Sequence, residues 1–329
     1  MWDISVEAIA LLRDLIVQHH IECDWQTGHL QVGIKPRHRD ALHEWHNELL
    51  SRFGYRSTHL LDKPELESML ASRRYLAGLY DSNGGHLHPL NYTIGLATAA
   101  AQAGAQVFEH SRAITIQAGP TAVIRTAQGE VRANQVVLCG NAYLEGLVPA
   151  IRPRIMPVGT YIIATEPLGE ARARALLRDN TCVTDTNFIL DYFRRSADHR
   201  LLFGGRVSYS GRDAFNTAQA TRKRMLQVFP QLADVKIDSA WGGMLDITMN
   251  RAPDFGRIGN NIYYLQGFSG HGVAMTGMAG KLVAEAVAGQ AERFDLFGKI
   301  KHRNFPGGPL LRTPALVLAM LWYRLRDLL

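Results

Sequence analysis

Tyr263-Tyr264-Leu265-Gln266-Gly267-Phe268-Ser269-Gly270-His271-Gly272-Val273-Ala274 is the stretch on which the reading of this sequence turns. It reads as a buried strand, a glycine-rich turn and the start of a helix covering residues 275–288. Three glycines in six residues let backbone come close to something flat or bulky. The helix that follows points unpaired N–H groups and its positive dipole end at the same spot. That combination suits an electron-rich ligand group: a phosphate, a carboxylate or a ring carbonyl that gains charge. A plain strand-to-helix turn uses the same residues, so Gly267, Gly270 and Gly272 need support from elsewhere in the chain.

The chain has 329 residues, 47% hydrophobic and 20% charged, which is the composition of a globular protein of about two domains. The longest apolar run, residues 315–323, is too short to span a bilayer and reads as an amphipathic helix on the protein body. Asp3, Glu7, Arg13 and Asp14 interrupt the N-terminal apolar residues, against a secretory signal. Cys23, Cys139 and Cys182 are scattered and form no Cys-x-x-Cys pair, which points to free thiols in a reducing cytoplasm. The net charge of +6 comes from short clusters such as Arg222-Lys223-Arg224. No aromatic interleaving accompanies them, which argues against nucleic acid and leaves a mild field favouring anionic ligands.

Apolar spacing predicts helices over 4–17, 39–53 and 91–103, and a short one opening at Lys63-Pro64-Glu65. Strands are expected at 30–34, 75–80, 106–109, 113–117, 122–126 and 135–139, with Asp81-Ser82-Asn83-Gly84-Gly85 as a tight turn. This order reads as part of a layered α/β domain. Residues 155–207 change character: longer antiparallel strands at 158–165, 188–194 and 201–205 indicate a sheet-rich second domain. A helix over 218–229 and a strand over 238–241 then lead back to the first domain. Both domains are therefore discontinuous: 1–20, 89–150 and 241–298 in one, 21–88 and 151–240 in the other, with 299–329 as a helical tail.

Four segments in this order resemble the FAD-dependent D-amino-acid-oxidase-like family: the turn and proline segment from Asp81 to Pro89; Val137-Leu138-Cys139-Gly140-Asn141-Ala142-Tyr143; Trp241-Gly242-Gly243 with Arg251-Ala252-Pro253-Asp254; and Gly267-Phe268-Ser269-Gly270-His271-Gly272. Gly85-His86-Leu87-His88-Pro89, Leu190-Asp191-Tyr192 and Phe305-Pro306-Gly307-Gly308 look most like its gamma-glutamylputrescine-oxidising members. The resemblance covers nearly the whole chain. It implies an incomplete Rossmann-like FAD-binding domain, an antiparallel-sheet substrate domain and FAD along their junction. The implied reaction oxidises a gamma-glutamyl polyamine amine with O2, giving aldehyde, ammonia and hydrogen peroxide. Flavin contacts are implied at Gly140, Trp241, Gly242 and Ala113, and at Gly267, Gly270, His271 and Gly272. Substrate contacts are implied at His86, His88, Tyr192 and Arg251.

The sequence departs from the family in two successive elements, the opening βαβ unit and the glycine-rich loop near the flavin ring that follows it. The family opens with a βαβ unit carrying Gly-x-Gly-x-x-Gly, and that motif is absent here. The expectation is a member lacking its first FAD-binding elements. A second reading follows: an inactive remnant, or a subunit that needs a separate N-terminal fragment to bind FAD.

Other residues carry alternatives. His86 and His88 share a side of an extended segment, as a metal pair would, but no third ligand is evident and cleft-lining is the simpler account. His43-Glu44-Trp45-His46 spaces its histidines three apart and fits a surface helix. Trp241 reads as core or flavin-facing, and Arg251 as a surface ion-pair partner or a cleft residue. Tyr161, Tyr192 and Arg206 lie on strands that could wall a substrate site. Ser269 and the Ser208-Tyr209 pair lack the surroundings of a nucleophile, and Cys139 reads as a small buried residue.

Overall fold

The computed structural model describes residues 1–187, 189–208 and 217–307, with positions 314, 317, 318 and 322 beyond them. Most of the helix expected over 315–323 therefore lies outside the described residues, though positions 317, 318 and 322 are helical; Phe188, Tyr209, Gly308 and the side chains of Arg206 and Ser208 also lie outside them. The chain divides into two compact units. The first is Met1–Ile21, Thr93–Val158 and Met244–Val317; the second is Glu22–Tyr92, Gly159–Gly243 and Leu318–Leu329.

The first unit is built on the strand Ile262–Gln266, all five of whose residues are buried. It is the centre of a three-stranded sheet, antiparallel to Asp254–Ile258 and parallel to Val136–Leu138. The helix Gly272–Val287 follows and buries Met278, Ala279, Leu282, Val283 and Ala286. This apolar stripe packs with Ile4 and Ala8 of the N-terminal helix Trp2–Gln18 and with Phe255, Phe294 and Phe297. Each fully buried aliphatic side chain there contributes about 1.5–3 kcal/mol. Glu7 joins the helices from outside, accepting from Lys281 at 2.8 Å and from Arg293.

A separate antiparallel meander, Thr115–Gln117, Ala122–Arg125 and Glu130–Ala133, carries the expected hairpin plus a third strand that the sequence did not announce. The strand expected over 106–109 is absent. Val107 and Phe108 are exposed there and make no strand pairing. Apolar character favours a strand only where a ladder and a covering face exist.

The second unit holds most of an eight-stranded sheet, its first two strands only in part, in the order Ile237–Thr248, Ile155–Thr165, Leu201–Ser208, Tyr192–Arg195, Cys182–Asp185, Gln26–Gly33, Ala77–His86, Thr58–Leu61. One face carries the core: Leu30, Val32, Val183, Phe193, Leu201 and Phe203 meet Met225, Val228 and Phe229 around the helix Thr217–Val228. Beside it, the helix Lys63–Met69 starts with a full capping box between Asp62 and Glu65.

The turn expected at residues 81–85 appears inside the strand Ala77–His86 as a break in register, with Ser82, Asn83 and Gly84 bulging between paired residues. Pairing resumes on either side of it. Asp81 pairs with Thr58 on one side and with His29 on the other, and Gly85 and His86 pair with Thr27 and Gln26. The glycines also serve close packing. A Cβ on Gly84 would stand 2.8 Å from the His29 side chain, and one on Gly85 would stand 2.7 Å from the Trp25 ring.

Candidate functional site

In the first unit the turn after Ile262–Gln266 is held from below by Asp246. This carboxylate is 1% exposed, and its Oδ2 accepts the Gly267 N–H at 2.6 Å. Its backbone carbonyl accepts the Ser269 N–H at 3.0 Å. Burial raises the Asp246 pKa, while N–H groups of Gly267 and Phe268 and the Asn141 side chain pull it back down. The Ser269 hydroxyl completes the base, accepting from the Thr248 N–H at 3.3 Å and donating to the Gly267 carbonyl at 3.1 Å. Ser269 is thus a buried structural hydroxyl.

Gly267 and Gly270 have φ of +80° and +91°, and Ser269 between them has +53°. These left-handed steps reverse the chain so that the helix begins at Gly272, three residues earlier than its apolar period announced. A Cβ on Gly267 would stand 2.5 Å from Thr248 Cγ2, whereas nothing lies within 4 Å of where one on Gly270 would sit. Gly267 is a packing glycine; Gly270 opens onto free space. His271 precedes the helix and makes no side-chain cap hydrogen bond, so the first-turn amides carry no side-chain cap. Gly270 and His271 are exposed.

Gly140 follows the strand Val136–Leu138 and caps the start of the 3₁₀ turn Asn141–Leu144, where a Cβ would stand 2.9 Å from Leu144. Ala113 lies just outside the first meander strand. Arg251 is exposed, with φ +63°, and its N–H donates to the Thr248 carbonyl at 3.2 Å. A pocket lined by Ala142, Leu144, Val148, Ile151, Ile155 and Gln266 lies behind this layer. Gln266, 0% exposed, donates to Asp254 Oδ2 at 2.9 Å and to the Ile151 carbonyl at 3.2 Å.

The other predicted residues belong to the second unit. Trp241 and Gly242 lie on Ile237–Thr248; Trp241 is exposed, and a Cβ on Gly242 would stand 2.7 Å from the Tyr161 ring. Tyr192 lies over Gly204, where a Cβ would meet its ring at 2.2 Å. His86 is buried, its Nε2 2.7 Å from the Asn180 carbonyl. Burial, with Arg194 and Arg195 nearby, brings its pKa down to about 4. His88 does something different: its Nδ1 accepts the Asn91 N–H at 3.3 Å in the first turn of the helix Pro89–Gln102. Among the described residues no cluster of three His, Cys, Asp or Glu could hold a metal ion, and no helix is long and apolar enough to cross a membrane.

Sequence reasoning missed Asp246, Asp185, Arg194 and Arg224. Asp185 and Arg224 meet at Asp191 in the second unit, while Arg194 lies on the strand Tyr192–Arg195 that follows it. Arg224 Nε donates to Asp191 Oδ1 at 2.6 Å. The Asp185 N–H donates to the Asp191 carbonyl at 2.9 Å. Burial, reinforced by Asp191, pushes Asp185 up to about 7.

The turn tests well against a flavin. It offers a glycine with free space above it, a left-handed approach and a helix start without a side-chain cap, which suit the electron-rich edge of a planar ring. Comparison with known proteins agrees. The family model described as FAD dependent oxidoreductase matches residues 1–286. Gamma-glutamylputrescine oxidoreductase of Escherichia coli (strain K12) is 44% identical over 318 residues, 96% of this chain and 74% of that protein. A probable oxidoreductase OrdL of Haemophilus influenzae is 41% identical over 99% of this chain and 76% of its own length. Among solved structures, glycine oxidase from Geobacillus kaustophilus superposes with a TM-score of 0.79 at 20% identity, covering 92% of this chain and 83% of that one. L-proline dehydrogenase from P. horikoshii gives 0.75 at 18% identity, covering 91% and 84%. The chain is an enzyme of the FAD-dependent oxidoreductase family to which the D-amino-acid-oxidase-like flavoproteins belong.

Proposed function

We propose that this enzyme oxidises the terminal primary amine of a gamma-glutamyl polyamine of the gamma-glutamylputrescine type, in the cytoplasm, with O2 as final acceptor. The balance is R–CH2–NH2 + O2 + H2O giving R–CHO, NH3 and H2O2. The observation that carries this reading is the 44% identity to gamma-glutamylputrescine oxidoreductase across 96% of the chain.

FAD, when bound, supplies a two-electron acceptor. Gly270, His271 and Gly272 would hold it, with Gly140 and Ala113 in the same unit, and Gly267 would shape the turn that presents them. The amides at the start of Gly272–Val287 would stabilise negative charge beside them without reorganising. The donor amine must be neutral to give up hydride from its α-carbon. An imidazole held neutral at His86 adds no charge to oppose or imitate the ammonium form. Tyr192 and His86 would line the substrate, with His88 as a further contact in the same unit. The test is peroxide release by the purified, FAD-loaded chain with gamma-glutamylputrescine, putrescine and glycine. Equal or better turnover of either simple amine sinks the substrate assignment.

A second reading is a chain that binds FAD only together with a further strand-bearing segment. It is supported by the parallel strand Val136–Leu138, which has one neighbour among the described residues, and by the exposed Val107 and Phe108. Parallel strands ordinarily stand in sheets covered on both faces, and an edge strand leaves a row of backbone groups open to a further strand. Flavin absorbance after reconstitution separates the readings: colour in the isolated chain supports the first, and colour only on adding such a segment supports the second.

A further inference from the structure

Alternation along the strands of the second unit sorts two faces. Phe193, Val183, Leu30 and Val32 face the core. Tyr192 and Arg194, Cys182 and Thr184, and His29 and Gln31 therefore share the opposite face. Register makes them neighbours: Tyr192 pairs with Thr184, His29 with Cys182, and Gln31 with Thr184. The patch is built. His29 Nε2 is hydrogen-bonded to the Thr184 hydroxyl, Gln31 donates to the Asp185 carbonyl at 2.7 Å, and the Tyr192 ring lies on Gly204.

Among the described side chains of this patch, Arg194 carries the permanent positive charge. Its Nη1 donates to the Arg195 carbonyl at 3.1 Å. Among the described residues no carboxylate comes within ion-pair distance of it. Burial pushes its pKa down, with only Cys182 and the exposed Asp24 acting the other way. Cys182 is no counter-charge, because burial takes its thiol up to about 12. Nearby His86 is neutral, as its pKa of about 4 requires. A desolvated guanidinium without an anion is costly, and its planar fork matches a carboxylate bidentately.

We propose that Arg194 is a specificity residue that anchors a carboxylate at the non-reacting end of the substrate, so that the enzyme selects amines carrying a distant acid. This rests on the proposed amine-oxidase function and deepens it: the α-carboxylate of a gamma-glutamyl group is such an acid. Tyr192, two residues away on the same face, covers the chain between that acid and the amine.

The test uses gamma-glutamyl-n-butylamide, which lacks the reacting amine, and the same compound with its α-carboxylate converted to carboxamide. Calorimetric titration of the FAD-loaded chain is expected to show about tenfold or tighter binding of the carboxylate form. Arg194→Met is expected to erase that preference while leaving carboxamide binding unchanged. A preference that survives in Arg194→Met overturns the anchor and leaves the amine-oxidase reading standing. Wild type that oxidises gamma-glutamylputrescine yet does not distinguish the two probes also overturns the anchor alone. Wild type that neither oxidises the amine nor binds either probe overturns the underlying reading and the anchor with it. In the unmodified chain, the carboxylate probe is expected to protect Arg194 from phenylglyoxal, read by peptide mass spectrometry. Equal labelling with both probes counts against the anchor even where the variant does not fold.

Discussion

The N–H of Gly267 donates to Asp246 Oδ2 at 2.6 Å, tying the glycine-rich turn to a carboxylate that is 1% exposed. The bond fixes the direction in which the chain leaves its buried strand, and with it where the helix amides point. A charge-assisted bond of this kind is worth about 1.5–3 kcal/mol. Asp246→Ala is expected to lose at least that much in denaturant unfolding, because it strands the Gly267 amide in the interior. Asp246→Asn keeps an acceptor and is expected to lose less. Equal losses in the two variants would show that volume, not the hydrogen bond, holds the turn.

Gly267 and Gly270 separate packing from ligand contact. Both have positive φ, but only Gly267 is also crowded, by Thr248 Cγ2 at 2.5 Å. Gly270→Ala carries the left-handed penalty of about 1–2 kcal/mol and no clash. It also places a methyl group where the turn opens. Its expected phenotype is weak FAD uptake, about tenfold or more, in a protein that still melts cooperatively. Gly267→Ala is expected to be the less stable of the two, and Thr248→Ser in the same chain to recover part of the loss. Thermal melts and flavin titrations read both effects. The reverse ranking of stabilities would contradict the assigned roles.

Gly204 is a third informative glycine. A Cβ there would stand 2.2 Å from the Tyr192 ring, so Gly204→Ala must push the ring off the sheet. With Tyr192 lining the substrate, KM for the amine is expected to rise several-fold while flavin content stays at the wild-type level. Tyr192→Phe keeps the ring in place but removes its hydroxyl, which interacts with Thr160. It is expected to change KM less than Gly204→Ala. Steady-state kinetics on both variants decides.

The sequence announced elements wherever a period ran long enough to be heard. Ile4, Ala8 and Leu12 mark the buried stripe of Trp2–Gln18, and the run of apolar residues before Gly267 marks the central strand. At Asp81-Ser82-Asn83-Gly84-Gly85 it was half right: the chain does not reverse there, but the turn residues interrupt the ladder as a bulge between Asp81 and Gly85. It was silent on Cys182–Asp185, whose four residues are too few to show alternation. The glycine turn itself was legible because glycines at short spacing are rare enough to notice. Asp246, which supports that turn from 21 residues away, was not, since a single acidic residue carries no pattern. Arg194 was hidden for the same reason: its significance lies in the absence of a nearby carboxylate, which only the folded sheet reveals.

Two buried titrating groups in the second unit pull stability in opposite directions with pH. Asp185 is raised from 3.8 to about 7, first by burial and then by Asp191. Between those values the folded chain keeps a proton that the unfolded chain has released, so stability falls as pH rises through the window and levels off above it. His86 is lowered from 6.5 to about 4 by burial. Between those values the unfolded chain takes up a proton that the folded chain refuses, so stability falls as pH falls. The windows overlap from about pH 4 to 6.5, where the two slopes partly cancel in the wild type. Asp185→Asn is expected to uncover the histidine slope, leaving a protein that weakens as the solution is acidified. His86→Gln is expected to uncover the carboxyl slope, leaving one that weakens toward neutrality. Urea midpoints at half-unit pH steps, at constant m-value, resolve the two. If both variants shift the profile in the same direction, at least one of these groups does not titrate as its burial requires.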